Sequence, residues 1–403
     1  MEAEPIPTST KTKETALTPG QLEFLDLAAR KGISRDLFGN FVPQIQFKNE
    51  PFDSRNPTIC YIHTGGTLMM VPDKKHTDKL TFEGAIDIAE TINICDRVSN
   101  IKSRYNIIAI YLANQDSKEV NTEMWTALAA TVYSIYDQVE GVVVGHGTHT
   151  LEYSTAALSF SLRNIAIPVV FTASQIPIVG RPGSDGLGNL TGAMEIAAYG
   201  NLAEVVAYAN GQIFRGSRVT KKNDNRLDVF ESRILGPIGF FTASGVELLA
   251  NAYRREKRRK FELYFSPKFS KSVSILKIQP GMDRAVIDYL IERGKDRGII
   301  LETYGSGAIP REYVETISKH VKAGHPIFLS SSCAESGIHS SMQLHDVDAL
   351  IAYEAGVRNL CDMSTSAATV KLMNILGNHP DASLQEIQEE MVTKCYAGEI
   401  SLG

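Results

Sequence analysis

The sequence predicts an α/β protein of two α/β domains. The larger N-terminal domain has a mostly parallel sheet with helices on both faces, and the smaller C-terminal domain has a parallel sheet of its own. Three observations lead there. Short apolar, β-branched runs alternate with longer helical patterns from residue 58 to about 245, the pattern of parallel strands joined by crossover helices. The alternation lapses over 246–272 and resumes from 273. Two of the apolar runs end in glycine-threonine turns, Thr64-Gly65-Gly66-Thr67 and Gly145-His146-Gly147-Thr148. In an open α/β sheet such turns sit at the carboxyl ends of strands, where ligands bind.

Residues 1–16 are rich in Thr, Glu, Lys and Pro and read as a disordered tail without the apolar core of a signal peptide. A helix start follows. Thr18 is placed to cap it, Pro19 fits the first helical position and Gln21 completes a capping box, with Leu17 and Leu22 as a staple. Leu22, Leu25 and Ala29 would share its buried face, and Gly32 would end it. Residues 33–55 read as a loose connector, so that 1–55 form an extension for packing or oligomer contact. The N-terminal domain, 56–245, has strand candidates at 58–63, 106–113, 141–145, 167–172 and 204–210. Its helix candidates are 82–91, 121–137, 151–163 and 189–200. The stretch 246–272 holds Arg254-Arg255-Glu256-Lys257-Arg258-Arg259-Lys260 and reads as a solvated linker, because Glu256 interrupts the basic run and no aromatic platform flanks it. The C-terminal domain, 273–403, has strand candidates at 273–278, 298–303, 326–331 and 349–353 and helix candidates at 283–293, 310–322, 363–376 and 383–395.

Composition narrows the function. With 403 residues, 43% hydrophobic and 22% charged, the chain can bury a sizeable core. A net charge of -5 argues against non-specific nucleic-acid binding, which needs a basic footprint. No apolar run reaches the ~18 residues of a membrane span. Cys60, Cys95, Cys333, Cys361 and Cys395 are odd in number and form no Cys-x-x-Cys pair. Reduced thiols of a cytoplasmic protein fit better than a zinc site or a disulfide framework.

The chemistry rests on hydroxyls. A threonine hydroxyl is a weak nucleophile at neutral pH and needs an adjacent base, and a lysine of lowered pKa can be that base. Thr67 and Thr148 close the two turns, and Arg218-Val219-Thr220-Lys221 follows the strand at 204–210. Together with Ser184-Asp185-Gly186 and Asn189-Leu190, these motifs resemble the L-asparaginase family of bacterial type. Farther on, Glu302-Thr303-Tyr304-Gly305-Ser306-Gly307-Ala308-Ile309-Pro310 and Asp362-Met363-Ser364-Thr365 are similar to the cytosolic type I members. The likeness runs from about 58 to about 380, with the motifs in the family's order.

That resemblance implies two-step hydrolysis of a small amide. Thr67 would attack the side-chain amide carbon to form an acyl-enzyme ester, ammonia would leave, and water would hydrolyse the ester. Thr148 matches the second catalytic threonine and Lys221 the lysine that polarises it. Gln115 matches a substrate-contacting glutamine, Asn114 stands where a serine usually receives the substrate carboxylate, and Ser174 matches a position lining the amide pocket. Backbone N–H groups of the two turns would hold the oxyanion. Family members work as dimers or dimers of dimers, so a homodimer or homotetramer is expected, and no metal or organic cofactor is implied. His146 reads as satisfying backbone near the turn and not as a metal ligand, His63 as packed, Asp185 as a support for loop amides, and Cys333 as a buried small hydrophobe in a segment similar to one used for inter-subunit and effector contacts.

Two departures bear on the substrate. His149 stands where the family has an aspartate that grips the substrate's α-ammonium and supports the lysine, and an imidazole cannot supply a fixed negative charge. A cationic imidazole beside Lys221 would repel the amine and lower its pKa. The sequence leaves three readings open: a substrate without a free α-ammonium, asparagine turned over less efficiently, or a binding role without hydrolysis. Second, the loop after Thr67 lacks the family's tyrosine, and His76 or Thr77 could take its place; Lys74 and Lys75 read as solvated. A third class, an ammonia-generating amidotransferase component like the D subunit of the archaeal glutamyl-tRNA(Gln) enzyme, would carry a β-rich N-terminal extension, whereas 1–55 reads as coil and helix.

Overall fold

A computed structural model describes residues 16–76, 79–333 and 347–401. The tail expected to be disordered lies, up to residue 15, outside the described residues. The first helix, α1 (Pro19–Arg30), begins as its sequence dictates, with the Thr18–Gln21 capping box formed and Pro19 in the first turn. Its buried face is Phe24 and Ala28, not Leu22 and Ala29; Leu22 is exposed, so no staple forms around it. Residues 33–55 are not a loose connector. They hold a 3-10 turn, Arg35–Phe38, and strand β1 (Gln44–Lys48), which joins the edge of the main sheet. The run Gln-Ile-Gln-Phe-Lys alternates polar and apolar residues as a half-buried edge strand does.

The strands of the N-terminal domain are β2 (Thr58–Gly65), β3 (Asn106–Gln115), β4 (Gly141–Gly145), β5 (Val169–Thr172), β6 (Val205–Ala209), β7 (Gln212–Arg215), the outlying pair β8 (Val219–Lys221) and β9 (Phe230–Ser232), β10 (Gly239–Thr242) and β11 (Gly245–Leu248). Nine make one sheet in the order β1-β3-β2-β4-β5-β6-β7-β10-β11. Its centre, β3-β2-β4-β5-β6, is parallel, and both flanks are antiparallel. The crossover helices are α2 (Ile88–Ser99), α3 (Thr122–Ile135), α4 (Leu151–Ser161) and α5 (Gly186–Tyr199). The strands are near-continuous apolar runs because both faces are covered. Cys60, Ile62, Val142 and Val144 pack toward α1, α3 and α4. Ile59, Tyr61 and Val143 pack toward α2 and α5. The helix expected at 82–91 starts only at Ile88, because Gly84 holds φ +75° and Asp87 caps the helix through the Glu90 amide at 2.7 Å.

The stretch 246–272 is tied to the N-terminal domain. β11 enters the main sheet, and Tyr264–Phe265 pairs with Leu162–Arg163. The basic run is not solvated throughout: Arg255 donates to the Gly200 carbonyl at 3.0 Å and meets Glu140 at 2.9 Å. The C-terminal sheet is all parallel, β12 (Val273–Lys277), β13 (Gly298–Thr303), β14 (Ile327–Ser331) and β15 (Arg358–Asn359). The run expected as a strand at 349–353 is instead α7 (Val347–Glu354), following α6 (Arg311–Lys322). A short apolar run carries no period of its own, and the alanine-rich segment favours a helix. The region 283–293 bends from a short α-helix, Ala285–Asp288, into a π-turn, Tyr289–Arg293.

The last helices, α8 (Thr365–Asn378) and α9 (Leu384–Val392), join the domains. Val370, Leu372 and Ile375 pack in one cluster with Trp125, Ala156 and Phe160 of α3 and α4. The chain then returns to the N-terminal domain. Arg218 donates to the Gly398 carbonyl at 2.6 Å and to Asp362 at 2.7 Å, Ser217 donates to the Ala397 carbonyl at 2.9 Å, and Ser401 also bonds Asp362. Below this, Lys371 and Glu399 form an ion pair of 2.6 Å with neither side chain exposed.

Candidate active site

The parallel centre of the main sheet has one topological switch point. From β2 the chain moves outward to β3, then crosses back to β4 on the other side of β2. The turns leaving β2 and β4 therefore meet at the carboxyl edge. Glycine makes the meeting possible: Gly65 and Gly66 hold φ of +113° and +85°, and a Cβ on Gly66 would lie 2.5 Å from the Gly147 nitrogen. The turns are fixed by bonds from Thr64 Oγ1 to the Gly145 carbonyl at 2.8 Å, from the Gly66 amide to the Gln115 carbonyl at 3.0 Å and from the His146 amide to the Thr172 carbonyl at 2.9 Å. Thr67 and Thr148 each follow one of these touching glycines. Among the described residues the Thr67 and Thr148 amides donate to no carbonyl outside the regular elements.

Lys221 ends β8, which pairs with β9. Its Nζ lies 2.9 Å from Thr148 Oγ1, and its backbone amide donates to Glu152 Oε2 at 2.8 Å. Burial pushes the Glu152 carboxyl up, against the Lys221 amide bond that favours the carboxylate. The amine also contacts Asp224. Lys221 is held from two elements, its backbone by α4 and its amine by the β4 turn. That arrangement can draw a proton from the Thr148 hydroxyl.

The other sequence-predicted residues sit nearby in different ways. Ser174, just past β5, is buried, and its hydroxyl has no partner among the described residues. Its loop is pinned by Asp185, whose carboxylate accepts the Gln175 and Ile176 amides, and by Asn189, which donates to the Ala173 carbonyl at 2.9 Å; Asp185 is thus a loop support. Asn114 Oδ1 lies 3.1 Å from Nε2 of buried His63. Burial pushes the His63 imidazole down to about 4, so the neutral ring donates through Nε2 and leaves the Asn114 amide N–H groups for another acceptor. Gln115 supports the first turn with its carbonyl, and its side-chain amide rests on the Met124 sulfur at 3.4 Å. His146 is buried, bonds the Gly147 carbonyl at 2.7 Å and is likewise pushed down to about 4 by burial.

His149 is half exposed, and its ring lies between two carboxylates, 3.4 Å from Asp116 and 3.8 Å from Asp224. Burial works to raise the Asp116 carboxyl, but the Lys118 amide and the His149 ring hold it below its usual range. Sequence reasoning does not single out Asp116, Glu152 or Asp224 as site residues. Two of them adjoin motifs that it does single out, directly after Gln115 and three residues after Lys221, and that adjacency is the signal available. The loop after Thr67 folds as a small hairpin, Val71–Pro72 on Leu80–Thr81, with Lys74, Lys75 and His76 exposed at its tip. Thr77 lies outside the described residues, as does the segment following Cys333. Cys333 itself is exposed, not a buried small hydrophobe. Among the described residues one group has metal-ligand spacing, Asp288, Glu292 and His320, and Lys319 already bridges both carboxylates at 3.1 Å each.

Fold and site define a two-domain α/β protein in which paired glycine-threonine turns and a lysine amine meet at the switch point of a parallel sheet. Residues 58–254 match the family model of the N-terminal asparaginase domain, and residues 272–391 match that of the glutaminase/asparaginase C-terminal domain. The chain belongs to the asparaginase family. It is 32% identical over 369 residues to the D subunit of the glutamyl-tRNA(Gln) amidotransferase from Pyrococcus furiosus, covering 89% of this chain and 80% of that one. It is 30% identical to an L-asparaginase of Dirofilaria immitis, covering 71% of this chain and 48% of that one. The thermostable L-asparaginase from Thermococcus kodakarensis superposes with a TM-score of 0.76 at 28% identity, over 86% of this chain and 100% of that one. Among the described residues no helix is long and apolar enough to cross a membrane.

Proposed function

We propose that this chain hydrolyses the amide of L-asparagine or a related small amide through a threonine acyl-enzyme, releasing ammonia. Thr67 is the nucleophile, Thr148 and Lys221 relay the proton, and Asn114, Gln115, His149 and Ser174 line the substrate. The observation that supports this best is the 2.9 Å approach of Lys221 Nζ to Thr148 Oγ1, on a turn whose glycine touches the turn of Thr67. In the first step the Thr67 hydroxyl proton passes toward Thr148 and Lys221 as Oγ1 bonds the amide carbon. Collapse of the tetrahedral species expels ammonia. No metal or organic cofactor enters the reaction, and the working form is a homodimer or homotetramer.

The test is ammonia release from asparagine, glutamine and a panel of small amides, with Thr67→Ala alongside and intact-mass detection of an acyl adduct. Ammonia from wild type, none from Thr67→Ala and an adduct on Thr67 are expected. Silence across the panel without an adduct would leave a binding role, and full activity in Thr67→Ala would remove the assigned nucleophile.

A second reading, an ammonia-supplying component of an amidotransferase, is favoured by the likeness to the archaeal D subunits. The case against it from the extension is weaker than the sequence makes it, since β1 lies there. Ammonia release that appears only with a partner protein and tRNA would establish it.

A further inference from the structure

We propose that Asp224 is the positioning residue for Lys221, a carboxylate that orients the amine toward Thr148 and balances the ammonium formed when the proton arrives. The inference rests on the amidohydrolase reading above and adds a member to its relay. Lys221 Nζ has two side-chain partners, Thr148 Oγ1 at 2.9 Å and Asp224 Oδ1. A lysine amine spins freely about its last bond, so a second fixed acceptor is what aims it. The same Asp224 oxygen lies 3.8 Å from Nε2 of His149, the residue directly after Thr148. Asp224 thus occupies the space beside position 149 and contacts the same amine that bonds the Thr148 hydroxyl.

The chemistry balances within the chain. In the free-amine form that the relay needs, Nζ takes the Thr148 hydroxyl proton and becomes an ammonium beside the Asp224 carboxylate. On return of the proton to the departing ammonia the pair reverts. Among the described residues, the charged or titratable groups near the amine include Asp224, Glu152 on the Lys221 backbone with the charge of Arg233 acting on it, and, one step beyond, His149 with Asp116. The Lys221 bond, ahead of its charge and that of His149, holds the Asp224 carboxyl below its usual range, so the carboxylate is ionised across the working pH. The Asp224 side chain is 75% exposed while that of Lys221 is 14% exposed, so an amide at 224 removes charge without opening the core.

The experiment compares wild type, Asp224→Asn and Asp224→Asn/His149→Asp, each checked for native circular dichroism. The primary readout is the rate of Lys221 acetylation by acetic anhydride at one fixed pH, followed by peptide mass spectrometry; ammonia release is measured beside it. An amine held by a carboxylate is less available to the reagent than an unpaired one. The rate should rise several-fold in Asp224→Asn and fall back in the double variant, with turnover falling about 10- to 100-fold and recovering in parallel. An unchanged rate in Asp224→Asn overturns the proposal. So does a rate that rises but is not restored by the carboxylate at 149. If wild type releases no ammonia from any amide, the hydrolase reading fails while the acetylation rate still decides the pairing.

Discussion

Gly66→Ala tests whether the two threonine turns depend on each other's position. The new Cβ would lie 2.5 Å from the Gly147 nitrogen, and ordinary contact begins at 3.4 Å, so the turns must part by close to 1 Å. Two costs follow. Alanine at φ +85° and ψ 174°, a region essentially reserved for glycine, is strained by about 1–3 kcal/mol. Overlap with an immovable backbone adds about 1–3 kcal/mol. Gly84 separates the two, because it holds φ +75° with nothing within 4 Å of its would-be Cβ. Gly84→Ala should show the strain alone. Urea unfolding followed by the single tryptophan, Trp125 in the cluster between the domains, reads the stability difference. Displacing reacting groups by about 1 Å costs roughly 100-fold in rate, so ammonia release should fall by about that factor in Gly66→Ala and stay at wild type in Gly84→Ala. Equal unfolding midpoints and equal turnover in the two variants would refute the contact between the turns and the site built on it.

Three further outcomes are expected. His63 and His146 are buried neutral with pKa values pushed down to about 4, below the value near 6.5 of the unfolded chain, so unfolding takes up protons between those limits. Stability is therefore full above pH 6.5 and falls as pH drops toward 4, by up to ~1.4 kcal/mol per pH unit for each histidine; a flat urea profile across that window would contradict it. Lys371→Met should cost about 3–5 kcal/mol by stranding buried Glu399, and adding Glu399→Gln should recover much of it in the same unfolding assay. Ser174→Ala removes a buried hydroxyl without a partner among the described residues, so stability should hold or rise by up to about 1 kcal/mol while KM for the amide rises several-fold; a clear loss of stability would mean that the hydroxyl is bonded within the fold.

The strands of both domains are readable where β-branched runs are bounded by glycine, as at 58–63 and 141–145. The failures have physical causes. The segment 349–353 is too short and too alanine-rich for its period to distinguish strand from helix, and tertiary packing makes it α7. β1 escapes notice because a half-polar edge strand resembles a connector when its sheet is unknown. At the site, the threonine turns and Lys221 are visible as motifs, but a separation of 73 positions between Thr148 and Lys221 conceals their contact. Asp224 is not legible, since its role depends on how the chain returns from β8 to β9. A cationic imidazole beside Lys221 would repel the amine, and in the structure the His149 ring lies against Asp116 and Asp224, the second of which also contacts Lys221.

The grip on Arg218 gives the protein an order of completion during translation. Arg218 leads into β8 and so into the lysine, yet the carbonyl it holds belongs to a residue 180 positions later. At about 5–20 residues per second, the ribosome releases that partner on the order of ten to forty seconds after the arginine. Until then the N-terminal sheet can form with its threonine turns in place while the strand bearing the amine lacks its anchor. A nascent chain arrested before Gly398 therefore lacks the carbonyl that holds Arg218.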